Sequence, residues 1–427
     1  MSSVDTATKR KQLIPRLRSG EKIAVIAADS GISRSTLYRW RRETSSAASK
    51  KSPARARTKP IPSAAIPVTV PTEGYLGDMT GPGVTDQWGV TATDLGVSVL
   101  APNGNLVSVF GDTFSGSSVG QGDWRAPVAL VGSGDATNLI SYQDACGSSS
   151  NYAQQLWPYV HDSSPWNQGG ISTVIPSDLL VVGQTMYLHA IVNRGFGNVV
   201  WTEIWTSPDS GASWQQMGSK AMFPGTLCNG YAQLWSWDYD PDDGWVYIVS
   251  TGFQRDKGII LRRVLPENIA DMTKYSGWGW ANNTWAWDND PTPITPPNET
   301  WGELTLRRLS TGTWILGGFL SSGYALGYRT IDSPTADLYT ADVQTPLTGA
   351  TWDTQNLSKN QVAQLYGGYV LPGSQLDVTG GVGLVVSQWD TATGWPYKAM
   401  QFRVTLNDTT KTSATPLATR RGARRRP

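Results

Sequence analysis

Five times along its central stretch the chain starts the same pattern: short alternating apolar strands opening at a polar residue and folding back through two or three hairpins. The units begin near Asp94, Asp178, Asp238, Glu303 and Tyr366, at intervals of about 60 to 84 residues. A unit of this kind cannot bury its own apolar faces, so copies must stack on one another. Stacking in a row leaves two open edges, and stacking in a ring leaves almost none. Four-stranded blades with long loops fit these intervals, and the count predicts five. A further signal is Ser207-Pro-Asp209-Ser-Gly211-Ala-Ser-Trp214, which has the S-x-D-x-G-x-x-W form of an Asp-box, a structural turn between outer strands of propeller blades.

Composition agrees. Charged residues make up 16% of the 427 residues, with 45 Gly, 26 Pro and 20 Trp, against about 25% charged in an average soluble domain. Such a profile excludes a helical bundle, a coiled coil or a Rossmann-type α/β fold. The expected class is all-β, a five-bladed β-propeller over residues 73–406 with a small α-helical segment before it. Net charge is unevenly spread: +11 over residues 1–66, −15 over 67–419 and +5 over 420–427. The large central part repels nucleic acid, while the ends suit a polyanion. No apolar stretch follows the basic start, as a secretory signal would require, and no run of 18 apolar residues suggests a membrane span.

Residues 1–44 read as a helix-turn-helix. Ile23, Ile26 and Ala27, then Leu37 and Trp40, have helical spacing, and Ser30-Gly31 interrupts them. A helix is expected over about 21–29 and a second over about 33–43, capped by Ser33. Arg34, Ser35, Thr36, Tyr38 and Arg39 on the second helix suit phosphates and base edges, so DNA is a candidate partner; a merely solvated basic face is the alternative. Residues 45–72 read as a disordered basic linker, and 407–427 as a disordered basic tail.

The chemistry is expected on one hairpin, Thr93-Asp94-Leu95-Gly96 through Gly111-Asp112-Thr113-Phe114. Asn103-Gly104 between two alternating apolar runs is a strong turn signal. Centring the turn there pairs residues whose numbers sum to about 207, so Asp94 faces position 113 and Asp112 faces position 95. Cross-strand Cβ atoms are then about 4.5–5.5 Å apart, or about 7–8 Å on the diagonal. Two carboxylates that close are costly unless they share a proton. A glycosidase needs such a pair, one acid for the leaving oxygen and one carboxylate for water or the sugar. Strand-end caps satisfied by backbone N–H groups remain open on the residues alone.

These motifs resemble those of glycoside hydrolase family 183, formerly domain of unknown function 4185. The matching stretches are TDLG and FGDTF, then Asp123-Trp124-Arg125, IPSDLLVV with NRGFGNVVWTEIWTSPDSGASW (175–214), WGELTLRR (301–308), YRTIDSP (328–334), LYGGYVLP (365–372) and VSQW (386–389), in family order across about residues 75–404. The resemblance implies a five-bladed propeller that hydrolyses internal D-arabinofuranosyl linkages of mycobacterial arabinogalactan and lipoarabinomannan. It implies Asp112 as general acid and Asp94 as general base. Carboxyl groups about 6.5–9.5 Å apart would give inversion, which is expected, and about 5–5.5 Å retention.

Supporting residues are expected around the pair. Arg125 would bind sugar hydroxyls or lower a neighbouring aspartate's pKa. Asp178 and Glu303 would each offer a third carboxylate to an axial cleft, unless they are strand caps or ion-paired. Tyr366, Gln388 and Trp389 would form sugar platforms. No metal or cofactor is expected: Asp238–Gly244 lacks the glycine and glutamate of an EF-hand loop, and His161 and His189 have no ligand spacing. Cys146 and Cys228 could pair, but a fold of this size does not need the bridge. A phage setting, with the protein made in the cytoplasm and carried on the virion, for instance as a minor tail protein, or released at lysis, fits the fused ends. The rivals are a non-catalytic arabinan-binding receptor module of a phage tail and a DNA-associated protein acting through residues 1–44.

Overall fold

The computed structural model describes residues 3–32 except 20 and 22, Leu37, Trp40, and residues 73–413 except 148, 163–168 and 196. These fall into two compact units that divide at Thr69/Val70. In the first, helices span Ser3–Arg18 and Ile23–Ser30, and Gly31 ends the second at φ +66°. Leu13, Leu17, Ile26, Leu37 and Trp40 form its core. The helix expected over 21–29 is present, and Ser3–Arg18 is an additional one. Arg34, Ser35, Thr36, Tyr38 and Arg39 lie outside the described residues, as do residues 41–72, which include the expected linker over 45–72, and the tail from 414.

The second unit is the five-bladed propeller. Its sheets are β-strands Ala92–Leu100 to Ser141–Ala145, Thr173–Val182 to Met222–Pro224, Leu234–Tyr239 to Thr284–Trp287, Trp301–Arg308 to Gln361–Ala363, and a last sheet closed by the chain's own start. In that last sheet Gly74–Asp78 pairs antiparallel with Tyr397–Val404, outside Val382–Trp389 and Leu365–Val370. Closure therefore joins the two ends of the unit in one blade, and the Lys398–Asp78 ion pair at 2.8 Å fastens it. Order extends past the expected boundary at 406: Thr409 bonds Thr330 at 2.9 Å, and Lys411 pairs with Asp377 and Asp408.

The inner strands of the five blades are Ala92–Leu100, Thr173–Val182, Leu234–Tyr239, Trp301–Arg308 and Leu365–Val370. They are buried over most of their length, their Thr, Ser, Asp and Glu residues included. Four of the five are interrupted by β-bulges in their pairing with the next strand, at Thr93–Val97, Pro176–Asp178, Trp301–Leu304 and Gly367–Tyr369. A bulge re-aims a side chain that a regular pleat would send to the wrong face. The Asp-box forms the turn between Val199–Ser207 and Gln215–Gln216, with Ser207 Oγ and Ser213 N bonded to Asp209 and Gly211 at φ +88°.

Blades two, three and four are tied together by one ion pair. Asp178 is fully buried, and Arg307 donates to both its oxygens at 2.5 and 2.8 Å. Ser236 Oγ at 2.5 Å and the Trp237 N–H at 3.1 Å complete the cage. Removing one partner of such a pair leaves an uncompensated buried charge. Arg307→Met should therefore lower unfolding free energy by about 3–5 kcal/mol. The Asp178→Asn/Arg307→Met double variant should lose less, as read by urea denaturation; a loss equal to the sum of the two single-variant losses would show that the pair is not coupled.

Candidate active site

The hairpin that carries Asp94 and Asp112 has a turn one residue longer than the sequence predicts. Its turn holds three residues, Pro102-Asn103-Gly104, with Gly104 left-handed at φ +81° and Ala101 bonded to Asn105. Pairs such as Leu100–Leu106 and Ser98–Ser108 thus sum to 206 rather than 207. The shift moves Asp94 from Thr113 to the bulge at Gly111-Asp112, between the Thr93–Thr113 and Leu95–Phe110 pairs. Leu95 and Gly96 take positive φ to restore the register. The two aspartates are therefore opposed, and each is partly exposed between buried neighbours.

Gly111 is what admits them. A Cβ on this residue would overlap Asp94 Oδ1. Asp94 Oδ1 is buried with no hydrogen-bond partner among the described residues, while Oδ2 accepts from the Tyr366 hydroxyl at 2.8 Å. Burial and the Asp112 charge push the Asp94 carboxyl up to about 7, with Glu303 adding to the rise; the Tyr366 and Tyr397 hydroxyls oppose it. Burial also raises Asp112, but Thr173 Oγ1 at 2.5 Å and Trp124 Nε1 at 2.8 Å both donate to its Oδ1 and favour the charged form. Both carboxyls are thus shifted upward, and the donors on Asp112 oppose its shift.

A second group surrounds Asp94. Glu303 is nearly buried on the fourth inner strand and pairs with Arg255 at 2.5 Å through Oε1, while its buried Oε2 has no partner among the described residues. The Arg255 guanidinium lies 5.0 Å from the Tyr366 ring centre and 5.3 Å from that of Phe319. Around Asp112, Trp124 stacks on His161 at 4.0 Å and on Phe114 at 5.9 Å. His161 bonds the Ser172 carbonyl and Gln155, both at 2.9 Å; burial lowers its pKa and Asp112 raises it.

The structure thus brings together Asp94, Asp112, Glu303 and Tyr366 from the predicted set. Tyr366 is a buried donor to Asp94 rather than a sugar platform. Trp389 is half-buried and backs Tyr397, ring centres 5.5 Å apart. Three residues belong elsewhere. Asp178 is the interblade ion pair, with no free oxygen for a ligand. Arg125 is buried, donates to the Ala153 and Gly89 carbonyls, pairs with Asp123 at 3.3 Å and sits over Tyr152, so it anchors loops rather than sugar. Gln388 is buried and donates to Gln355 and to the Ala363 carbonyl at 2.8 Å. Sequence reasoning missed Thr173, Arg255, Tyr397 and His161; Trp124 stood in a quoted motif without a role. Cys146 and Cys228 are free thiols. His189 is a buried strand residue stacked on Trp235 at 3.9 Å. The Asp240–Gly244 turn is held by Arg308, which pairs with Asp240 at 3.1 Å and Asp242 at 2.5 Å. Among the described residues no group of three His, Cys, Asp or Glu side chains could hold a metal.

Fold and site together define a five-bladed propeller with a coupled carboxylate pair at one end of its inner strands. Residues 80–403, most of the chain, match the family described as "Domain of unknown function (DUF4185)", and the chain belongs to that family. Residues 5–48 match a homeodomain-like domain. An "Uncharacterized 35.9 kDa protein in asd 3'region" of Mycolicibacterium smegmatis is 29% identical over 344 residues, 77% of this chain and 97% of that protein. A solved structure from Bacteroides ovatus shares the fold with a TM-score of 0.52 and 15% identity, covering 78% of this chain and 90% of that one. A "GH43 Endo-Arabinanase from Bacillus licheniformis" aligns with a TM-score of 0.40 and 13% identity, over 72% of this chain and 93% of that one.

Gly111→Ala tests the interlock directly. The added methyl meets only side-chain atoms, those of the Asp94 carboxyl and Leu95 Cδ1, so the protein should fold with little loss of stability while Asp94 is displaced. Cooperative thermal unfolding should persist, and the pH titration of the pair, followed by carboxylate NMR, should lose its coupling; an unchanged titration would refute the packing argument.

Proposed function

We propose that this protein is a glycoside hydrolase, and that the pair on the bulged hairpin does the chemistry. The observation that carries this reading is the opposed Asp94–Asp112 pair at the bulge, with Asp94 Oδ1 seated against Gly111; burial and Asp112 push the Asp94 carboxyl up to about 7. Adhesion does not need two close acids, one protonated and one charged. Acid/base cleavage does. Asp94 protonates the glycosidic oxygen as its bond to the anomeric carbon breaks. Asp112 takes a proton from the water that attacks that carbon from the other side, and the pair returns to its resting state by exchange with solvent. This reverses the roles implied by the family resemblance, because the donors from Thr173 and Trp124 favour charge on Asp112. Tyr366 and the Arg255–Glu303 pair keep Asp94 oriented.

The proposed substrate is D-arabinan of mycobacterial arabinogalactan and lipoarabinomannan, cut internally, as the family motifs imply; inversion is the proposed outcome, to be read from the anomer first released. A virion- or lysis-associated setting is the proposed location. A second reading concerns residues 5–48: their homeodomain-like match and the +11 charge of residues 1–66 favour a DNA-binding module alongside the hydrolase.

Incubation with purified D-arabinan should release oligosaccharides, and Asp112→Asn should reduce the rate by at least about 100-fold. Absence of products from the parent protein would refute the assignment. The pH profile follows from the sign of the shifts. Asp94 must be protonated, so kcat/KM should fall as pH rises through about 7. Asp112 must be ionised, so it should also fall on the acid side; both limbs belong to the coupled pair. A profile rising steadily through pH 8 would exclude Asp94 as the acid.

A further inference from the structure

The outer hairpin of the third blade has an unusual alternation. Ser276–Ala281 and Thr284–Trp287 pair so that Trp278 faces Trp287 and Trp280 faces Trp285. Four indoles thus share one face, with Trp278 at 6.1 Å from Trp285 and 5.0 Å from Trp287. The opposite face is Gly277 and Gly279, where any Cβ would overlap the backbone of Asn289 and Asp290. Glycine there lets the returning segment run directly under the hairpin. Trp280 N–H donates to Thr292 Oγ1 at 2.9 Å, which fixes that segment in place.

The inner indoles have a packing role: Trp287 meets Tyr247, and Arg263 lies 4.1 Å from the rings of both Trp245 and Trp287. Trp280 has none of this. It is 50% exposed, and it lines a groove of about 670 Å³ with Trp285 and the 53% exposed Tyr339. Pro293, Pro296 and Pro297 form part of the lining, and Lys257 and Thr300 add polar groups. Lys257 bridges to Trp301, two residues before Glu303, and follows Arg255 by two. The groove thus shares Lys257 with the segment that carries Arg255, and Lys257 bridges to the strand that carries Glu303.

Flat apolar faces with hydrogen-bonding groups beside them match a sugar ring, which is apolar on its C–H faces and polar at its edge. A peptide partner would leave the broad indole faces without the apolar side-chain pockets that anchor one. We propose that the Trp280–Trp285–Tyr339 groove is a distal subsite that holds a neutral glycan chain several residues away from the bond being cleaved. This rests on the glycosidase reading for the bond, but not for the binding.

The test separates the two. In the full chain carrying Asp112→Asn, migration through gels containing D-arabinan, L-arabinan or xylan should be retarded by at least one of them. Adding Trp280→Ala should remove the retardation, Tyr339→Ala should weaken it, and Trp280→Phe should restore most of it. In the otherwise unaltered chain, Trp280→Ala should lower kcat/KM for the polymer relative to a tetrasaccharide about tenfold, the factor that corresponds to 1.4 kcal/mol. Retardation that survives both Trp280→Ala and Tyr339→Ala overturns the subsite, as does no retardation by any glycan. A change in oligomeric state with Trp280→Ala, read by sedimentation, also overturns it, in favour of a contact between copies. Retardation that depends on Trp280 in a protein that cleaves none of the glycans would leave the subsite standing and remove the hydrolase.

Discussion

The site depends on a side chain that is not there. Asp94 and Asp112 can face each other only because residue 111 has no Cβ, and Asp94 Oδ1 occupies that space. The bulge at this point offsets the pairing by one residue, and the left-handed Leu95 and Gly96 return it to register before the buried middle of the strand. Strain and close approach are thereby confined to four positions. The rest of the hairpin packs regularly, with Thr93 on Thr113 and Ser98 on Ser108, each hydroxyl pair at 2.6 Å. A site that holds two acids against each other is unstable by itself; here the rigid hairpin and the blades on either side absorb that cost.

What surrounds the pair divides it into two environments. Asp112 is on the side of Thr173, Trp124 and His161, which come from the second blade, the short strand beside Phe114 and the following loop. Asp94 is on the side of Tyr366, Tyr397, Glu303 and Arg255, from the fifth, fourth and third blades. Both carboxyls are buried and both receive donors, but acidic neighbours, Asp112 and Glu303, raise Asp94 alone. The asymmetry that a general acid and a general base require is thus assembled from all five blades, although the two residues sit on one hairpin.

The hairpin and the blade count were legible because they are local. Alternation, Asn103-Gly104 and the Asp-box each declare themselves within about ten residues. The register was off by one because Gly104 takes the left-handed position of a three-residue loop, which the dipeptide alone does not distinguish from a two-residue turn. Long-range partners were not legible. Asp178 and Glu303 look alike in sequence, each an acid near the start of an inner strand. What separates them is Arg307, 129 residues from Asp178, and Arg255, 48 residues from Glu303. Thr173 carried no signal, whereas Trp124 was visible beside the GDTF motif. The helix Ser3–Arg18 was hidden by Pro15, although Leu13 and Leu17 have the spacing of one buried face.

The Asp178–Arg307 cage has a consequence for how the ring comes apart. It joins three blades, with Ser236 bonded to the Leu306 N–H at 2.7 Å as well, so the second, third and fourth blades cannot part from one another one at a time.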